Sequence, residues 1–318
     1  MSNSGIDRRQ ILVGGVVAGS GLLLAGSAQA AAPTYTHNTA PTRYVEAGGV
    51  RFAYRRFGRP TGLPIVLLQH YVGTMDWWDP ALTDGLARSR EVILFDNRGV
   101  GLSSGETPNR IGLMAEDVQT FVRGLGLSSI DLLAFSIGGM VGQELALRHP
   151  GTVRKLILTG TGPRGGSGMA DAKPNVVKAL TDAAPEFRNA RPYLFFSQTE
   201  NGKAAAKAFM ARTFERKTDL DPRSSMQTMQ AHNEALAEFG ASAGHNDYMA
   251  RLATLMQPTL ITNGNNDIMV DTVNSYDMAQ VIPRSELIIY PDAGHGSLFQ
   301  YAPLFVEHVD LFLNRSDF

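Results

Sequence analysis

A serine stands where an apolar, strand-like run meets a helix-like one. The run Ile130–Phe135 leads directly into Ser136, and a helical pattern begins at Ile137. A nucleophilic serine on such a sharp turn requires small residues two positions before and two positions after it, and Ala134 and Gly138 satisfy this requirement. The pattern predicts Ser136 as a nucleophile, with the backbone N–H of Ile137 at the helix start placed to bind an oxyanion. The alternative is a serine that only caps the helix of an ordinary strand–helix unit.

A histidine flanked by glycines follows the last strand-like run. His295 lies between Gly294 and Gly296, after the apolar run at residues 286–290 and before the C-terminal helical pattern. Its place on a loop at a strand end predicts a general base that takes the proton of Ser136. The alternative is a histidine on an ordinary surface loop.

An aspartate on the turn after another strand could orient that histidine. The run at residues 259–262 leads into a polar turn that presents Asp267. Asp271 is a rival that suits a helix N-cap, and Asp292 lies too close to His295 along the chain. We therefore predict Asp267 as the residue that orients the imidazole. Along the chain, the serine then comes first, the aspartate second and the histidine last. This order is known for enzymes whose nucleophilic serine lies on a turn between a strand and a helix.

The other histidines and the composition argue against metal, thiol and nucleic-acid chemistry. No two histidines have the H-x-x-x-H spacing of a helical metal site, and the sequence contains no cysteine. The 29 Lys and Arg residues nearly balance the 30 Asp and Glu residues, which leaves no positive excess for binding nucleic acid. We predict neither a metal nor a cofactor, and we expect His37 and His308 at the surface.

Strand-like and helix-like runs alternate along most of the chain. The strand-like runs are at residues 50–57, 65–69, 91–95, 130–135, 153–159, 259–262 and 286–290, and the helix-like runs are at 113–125, 137–149, 273–281 and 301–314. The later strand-like runs are apolar throughout, which is typical of strands covered on both faces. In a chain of 318 residues of which 43% are hydrophobic, this alternation predicts an α/β fold with a mostly parallel sheet flanked by helices.

The alternation stops between residues 162 and 251. This stretch has helical propensity, contains several prolines and shows no convincing strand. We predict a helical insertion at 162–251 over a core formed by residues 31–161 and 252–318. Residues 160–165 match G-x-G-x-x-G at the entrance to the insertion. No helical pattern opens there and Pro163 prolongs the loop, so the match does not predict a dinucleotide site.

The first 30 residues have the pattern of an export signal. Arg8 and Arg9 precede an uncharged, glycine-rich stretch at residues 11–28, and an A-Q-A sequence ends at residue 30. The paired arginines resemble a twin-arginine signal, which predicts transient contact with the twin-arginine export machinery and a periplasmic or secreted product. The alternative is an uncleaved membrane anchor, because the 18 uncharged residues nearly suffice to span a bilayer.

Taken together, these features resemble the α/β-hydrolase superfamily, in its branch of bacterial serine esterases, lactonases and cofactor-free haloperoxidases. Residues 96–103 resemble the family's D-x-R-G-x-G-x-S loop, whose role there is structural. Residues 67–73 resemble its H-G-x-x-G oxyanion loop, although the glycine that should follow His70 is absent. The resemblance implies an oxyanion donor at the backbone N–H of Tyr71, a helical cap at 162–251 and no cofactor.

Aromatic side chains in the insertion favour an apolar substrate pocket. Side chains that could line it are His70, Trp77, Trp78, Phe195 and Phe196, although core packing explains each of the aromatic ones equally well. We predict a serine hydrolase that cleaves a small to medium ester or lactone through an acyl-enzyme. The alternatives are hydrolysis of a carbon–carbon bond or peracid formation by the same three residues, and a non-catalytic binding protein on this scaffold.

Overall fold

Eight strands form one sheet in the computed structural model, which describes residues 35–182 and 187–316. The strands are β1 (Arg43–Ala47), β2 (Val50–Gly58), β3 (Ile65–Leu68), β4 (Glu91–Phe95), β5 (Ile130–Phe135), β6 (Val153–Thr159), β7 (Thr259–Gly264) and β8 (Ser285–Tyr290). Their order across the sheet is β1-β2-β4-β3-β5-β6-β7-β8. The pairs β1–β2 and β2–β4 are antiparallel, and the other pairs are parallel. The mostly parallel sheet predicted from the sequence is confirmed.

Strand β1 has no counterpart among the strand-like runs of the sequence. It is one of the two edge strands, and its residues are exposed or half-buried along its whole length. A strand that buries so little surface does not need the apolar and β-branched residues that revealed the other seven strands.

Helices cover both faces of the sheet. The core helices are α1 (Pro80–Ala87), α2 (Ile111–Gly124), α3 (Ile137–Arg148), α9 (Val273–Val281), α10 (Ser297–Gln300) and α11 (Ala302–Asn314). Residues of α1, α10 and α11 share one apolar cluster, and those of α2, α3 and α9 share the cluster on the other face. Strands β3 and β5 are therefore buried from both sides, which agrees with the apolar sequence of β3 and with that of β5, where Asp131 is the one charged residue.

Five helices occupy the described chain between β6 and β7. They are α4 (Pro174–Asp182), α5 (Phe187–Phe195), α6 (Glu200–Thr213), α7 (Met226–Gly240) and α8 (His245–Leu252). Ion pairs tie this segment to the rest of the fold. Arg212 of α6 donates to both carboxylate oxygens of Asp79 at 2.7 Å, and the fully buried Arg55 of β2 binds Asp76 and Asp221 at 2.5 and 3.1 Å. Bidentate and buried pairs of this kind fix the geometry of the elements that they join.

One of the two histidines expected at the surface is buried. His37 is 1% exposed, and its Nδ1 lies 2.9 Å from the hydroxyl of Thr83. The prediction of a surface position was wrong for His37, because local polarity does not show that the segment before β1 packs against α1. Burial and two nearby arginines lower the pKa of His37 to about 3, so its imidazole is neutral.

The predicted export signal at residues 1–30 lies outside the described residues. Within residues 35–182 and 187–316, the structure contains no helix with the length and apolarity needed to cross a bilayer.

The parallel strands place the predicted functional residues at one edge of the sheet. Ser136 follows β5 directly, Asp267 follows β7 and His295 follows β8. Since the carboxyl ends of parallel strands meet at the same edge, residues far apart in sequence are brought together there.

Candidate active site

The turn between β5 and α3 holds Ser136 in a strained conformation. Its backbone has φ +59° and ψ −123°, a region that non-glycine residues rarely adopt and that costs about 1–3 kcal/mol. The N–H of Ser136 donates to the carbonyl of Thr159 at 3.0 Å, which anchors the turn to β6. At Gly138, a Cβ atom would lie 2.5 Å from the carbonyl oxygen of Leu68. The requirement for a small residue two positions after the serine therefore comes from the close packing of α3 against the end of β3.

Ser136, His295 and Asp267 form a continuous chain of hydrogen bonds. The Oγ of Ser136 lies 3.0 Å from Nε2 of His295, and Nδ1 of His295 lies 2.8 Å from Oδ2 of Asp267. All three side chains are buried, with 7%, 0% and 6% of their residue surfaces exposed. An ionised Asp267 can only accept, so it selects the tautomer in which Nδ1 of His295 carries the hydrogen and Nε2 can take the serine proton.

The second carboxylate oxygen of Asp267 is also held. Its Oδ1 accepts hydrogen bonds from the backbone N–H groups of Met269 and Val270 at 2.8 and 3.0 Å. The two rival aspartates are engaged elsewhere. Asp271 binds the ammonium group of Lys173 and the hydroxyl of Ser167, and Asp292 accepts from residues of α6 and its N-cap. Of these three carboxylates, the one beside His295 is that of Asp267.

Two aromatic rings and a glycine fix the position of His295. The rings of Phe135 and Phe195 lie 4.9 and 5.7 Å from the imidazole centroid. At Gly160, which has φ +55°, a Cβ would come within 2.9 Å of the His295 carbonyl oxygen. The N–H of Gly296 donates to the carbonyl of Phe195 at 2.7 Å, so the histidine loop is also tied to the insertion. Residue 160, the first glycine of the G-x-G-x-x-G match, thus makes room for the histidine loop.

The loop after β3 begins beside the N-terminus of α3. A Cβ at Gly138 would lie 2.7 Å from the carbonyl oxygen of Gln69, so the residues that follow Gln69 pass close to Ser136. The Gln69 side chain braces the loop by accepting from the N–H of His70 at 2.9 Å and donating to the carbonyl of Thr74 at 3.1 Å. Ile137 occupies the first position of α3, where a helix offers its N–H no intrahelical acceptor.

A histidine of the insertion supports the same loop. Val72 has φ +48°, and its N–H donates to Nδ1 of His232 in α7 at 3.0 Å. The hydroxyl of Tyr71 donates to the neighbouring Asn233 at 2.7 Å. Sequence reasoning missed Gln69 and His232, since no spacing or motif connects α7 with the loop after β3.

The loop at residues 96–103 is structural, as the resemblance implied. The carboxylate of Asp96 accepts from the N–H of Leu102 and from the N–H of Met75, each at 3.0 Å. Its carbonyl accepts from the hydroxyl of Ser103 at 2.7 Å. Asp96 therefore joins its own loop to the segment that follows the β3 loop and takes no part in the hydrogen-bond chain of Ser136.

Comparison with known proteins gives the family. A family model described as alpha/beta hydrolase fold matches residues 64–301, which is most of the chain. The chain belongs to the alpha/beta hydrolase fold family. An alpha/beta hydrolase fold protein from Chitinophaga pinensis has a solved structure that is 36% identical, with a TM-score of 0.80 over 88% of this chain and 99% of that one.

Two further relatives of this hydrolase carry more specific names. The solved structure of Est816, described as an N-acyl homoserine lactone degrading enzyme, is 25% identical, with a TM-score of 0.65 over 85% of this chain and 100% of that one. A 2-hydroxy-6-oxononadienedioate/2-hydroxy-6-oxononatrienedioate hydrolase of Klebsiella pneumoniae is 28% identical over 71% of this chain and 77% of its own.

Ser136 of the hydrolase opens into a small chamber beside a larger cavity. The chamber has a volume of about 40 Å³ and is lined by His70, Tyr71, Ser136, Leu180, Ala190, Arg191, Leu194, Phe195, Met269 and His295. The larger cavity, of about 940 Å³, has Tyr71, Leu180 and Arg191 in its wall as well, so the two spaces adjoin. The chamber has room for little more than the reacting group of a substrate, whereas the larger cavity suits a drug-sized molecule.

The side chains predicted to line a substrate pocket take different places. His70 and Phe195 line the small chamber, and Trp77 lines the larger cavity beneath the guanidinium of Arg191, 3.4 Å away. The prediction was wrong for Trp78 and Phe196. Both are core residues, since Trp78 is fully buried and packs on Phe299, and Phe196 packs on Phe209.

The described residues contain no group of three or more His, Asp and Glu side chains placed to hold a metal ion.

His232 makes the stability of the hydrolase depend on pH. Burial lowers its pKa from 6.5 to about 4, so between these values the unfolded chain binds a proton that the folded chain does not. The stabilisation is fully present above pH 6.5 and is lost as pH falls toward 4. We expect His232→Asn, whose Oδ1 can still accept from Val72, to reduce the slope of unfolding free energy against pH by about 1.4 kcal/mol per unit in this range.

Urea unfolding at pH 7, 6, 5 and 4.5 measures this slope. His232→Ala is the control, because it removes both the titration and the acceptor and should cost about 1–3 kcal/mol at pH 7. Equal slopes in the wild type and His232→Asn would show that His232 is not held neutral.

Proposed function

We propose that this protein is a cofactor-independent serine hydrolase that cleaves a carboxylic ester or lactone. The observation that carries the proposal is the buried hydrogen-bond chain from Ser136 Oγ through His295 to Asp267, at the floor of a chamber. A buried serine bonded to an imidazole that a carboxylate orients is the arrangement that activates a hydroxyl toward a carbonyl carbon.

The reaction proceeds in two halves. Ser136 Oγ attacks the carbonyl carbon while His295 Nε2 takes its proton, and Asp267 stabilises the imidazolium that forms. The tetrahedral intermediate collapses, His295 protonates the leaving oxygen, and an acyl group remains on Ser136. A water molecule then attacks the acyl carbon, with His295 again taking the proton, and the carboxylic acid leaves as Ser136 recovers its hydrogen.

Backbone N–H groups stabilise the oxyanion in both halves. We assign one donor to Ile137, at the positive end of α3, and the second to Tyr71, whose loop starts beside that helix end. The bond from Val72 to His232 and the brace from Gln69 hold this loop before substrate arrives. Because negative charge develops on the carbonyl oxygen only as the bond to Ser136 forms, these donors stabilise the transition state more than the substrate.

The cavity sizes favour a substrate with a small reacting group and a larger remainder. The helices at residues 162–251 act as a cap in this proposal, since Ala190, Leu194 and Phe195 of α5 form part of the chamber wall. The reacting carbonyl occupies the chamber, and the remainder extends past Arg191 into the larger cavity. The 25% identity with a lactone-degrading enzyme supports a lactone as one such substrate.

A fluorophosphonate probe tests the proposal. We expect residues 31–318 of the wild type to gain the mass of one probe adduct and Ser136→Ala to gain none, because only an activated serine reacts with this electrophile. Ser197→Ala is the matched control, since Ser197 is as buried as Ser136 but bonds to Thr199, and it should label like the wild type. An unlabelled wild-type protein that is folded, or an adduct that survives in Ser136→Ala, would contradict the proposal.

Hydrolysis of a carbon–carbon bond beside a ketone is the second candidate. It is favoured by the 28% identity with the Klebsiella pneumoniae hydrolase, which is named for a 2-hydroxy-6-oxo acid. A panel of phenyl esters, lactones and 2-hydroxy-6-oxo dienoates, compared by kcat/KM, separates the two. Turnover of the esters and lactones supports the first proposal, and turnover confined to the dienoates would replace it with the second.

A further inference from the structure

His70 lines the chamber and carries an unused nitrogen lone pair on its ring. Its Nδ1 lies 2.9 Å from the carbonyl oxygen of Tyr71. A carbonyl oxygen only accepts, so Nδ1 must carry the ring hydrogen, and Nε2 of a neutral imidazole is then an acceptor without a hydrogen. His70 is 5% exposed, and it lines the same chamber as Ser136 and His295.

The acceptor at Nε2 of His70 has no hydrogen-bond partner among the described residues. An unpaired buried acceptor is costly, and each one in a folded protein requires an explanation. The imidazole is held by the rings of Phe135 and Phe195, whose centroids lie 5.7 and 5.1 Å away, and the same two rings pack on His295. His70 and His295, the proposed general base, therefore pack on the same two rings and line the same chamber.

His70 stays an acceptor over the working pH range. Burial, followed by the positive charge of Arg191, lowers its pKa well below the ordinary value of 6.5. A proton on Nε2 would turn the acceptor into a donor. It would also give the imidazole a positive charge close to that of Arg191. Other groups that the structure places near the ring, His295 and His232, also disfavour that proton.

From this geometry we propose that His70 is a specificity-determining residue that accepts a hydrogen bond from an O–H or N–H group on the carbon next to the reacting carbonyl. The inference rests on the proposed function, since it places the substrate carbonyl at Ser136. The chamber measures about 40 Å³, so a donor that reaches Nε2 must be attached close to that carbonyl. The substrate class is thus a 2-hydroxy or 2-amido acyl compound, with the hydrogen bond replacing the missing partner of His70.

Two esters that differ in a single group test the proposal. Phenyl 2-hydroxypropanoate carries the hydroxyl, and phenyl 2-methylpropanoate has a methyl group in its place. For each enzyme, kcat/KM for the hydroxy ester is divided by kcat/KM for the methyl ester. Comparing this ratio between the wild type and the variants cancels the different intrinsic reactivities of the two esters. We expect the ratio to fall about 10-fold in His70→Asn, whose amide still donates to the Tyr71 carbonyl but does not reach the Nε2 position.

His70→Gln is the matched control. Its longer side chain places an oxygen acceptor near the Nε2 position and gives up the bond to Tyr71, so the ratio should stay close to that of the wild type. A ratio that is the same in the wild type and His70→Asn would overturn the proposal. A ratio that falls equally in both variants would do so too, because glutamine supplies an acceptor near the Nε2 position that asparagine lacks, and an equal fall would show that this acceptor does not matter.

A binding measurement keeps this test separate from the proposed function. In Ser136→Ala, we expect lactamide, the amide of 2-hydroxypropanoic acid, to shift the ¹⁵N resonance of His70 Nε2, and isobutyramide, its methyl counterpart, to leave it in place. Equal shifts with both amides, or none with either, would overturn the role of His70. If neither phenyl ester is turned over while the lactamide shift is present, the proposed ester chemistry fails and the acceptor role stands.

Discussion

Ser136→Ala is expected to lower kcat on ester substrates by on the order of 10³- to 10⁶-fold. The Oγ of Ser136 lies 3.0 Å from Nε2 of His295. Among the described residues, no other hydroxyl is hydrogen-bonded to that nitrogen. Its removal leaves only the oxyanion donors and substrate binding to accelerate attack by water. Steady-state kinetics on the best ester of the panel, with active-site titration of the wild type, measures the change.

The fold of Ser136→Ala should be unchanged. The strained turn is held by the backbone bond from residue 136 to Thr159, which alanine retains, and within the part of the chain that the structure describes the Ser136 side chain bonds to His295 alone. Circular dichroism and the thermal midpoint serve as checks, with Ser197→Ala as the kinetic control. Near-complete activity in Ser136→Ala would refute the assignment of the nucleophile.

Asp267→Asn is expected to lower kcat by on the order of 10⁴-fold, the size of effect seen when such a carboxylate becomes an amide. The backbone N–H groups of Met269 and Val270 donate to Oδ1, so an asparagine would place its oxygen there and turn its NH₂ toward His295. The imidazole would then accept at Nδ1 and carry its hydrogen on Nε2, facing Ser136. In that tautomer His295 cannot take the serine proton.

Kinetics and the ¹⁵N resonances of His295 test this tautomer change together. Asp271→Asn is the matched control, because Asp271 lies four residues away and binds Lys173 and Ser167 instead of the histidine. We expect the control to keep kcat within a few-fold of the wild type. Equal losses in the two variants, or an Asp267→Asn enzyme with its Nδ1 hydrogen in place, would show that Asp267 does not orient His295.

The sequence by itself determined most of the scaffold and its chemical candidates. Seven of the eight strands coincide with strand-length runs rich in apolar and β-branched residues, and a strand covered on both faces must be largely apolar. Ser136 was recognisable from the small residues around its turn, which the approach of α3 to Leu68 requires. Asp267 and His295 were recognisable because each follows such a run, and parallel strands end at a shared edge. These signals are local, and each reflects a constraint within a few residues of the chain.

Only the tertiary structure decided which side chains meet. The choice of Asp267 over Asp271 and Asp292 depends on where three loops place their carboxylates, and no spacing in the sequence encodes those directions. The support of the β3 loop by His232 joins residues 160 positions apart. Contacts of this kind follow from how helices pack on a finished sheet.

Packing between distant segments also decided which aromatic and histidine side chains face the pocket. Trp78, Phe195 and Phe196 look alike in sequence, yet Trp78 and Phe196 fill the core and Phe195 faces the chamber. His70 likewise became informative only when its Nδ1 was found bonded to a carbonyl, its Nε2 without a partner among the described residues, and its ring beside the chamber. An apolar or polar residue type shows what a side chain can do, whereas the face that it presents is set by packing between segments distant in the chain.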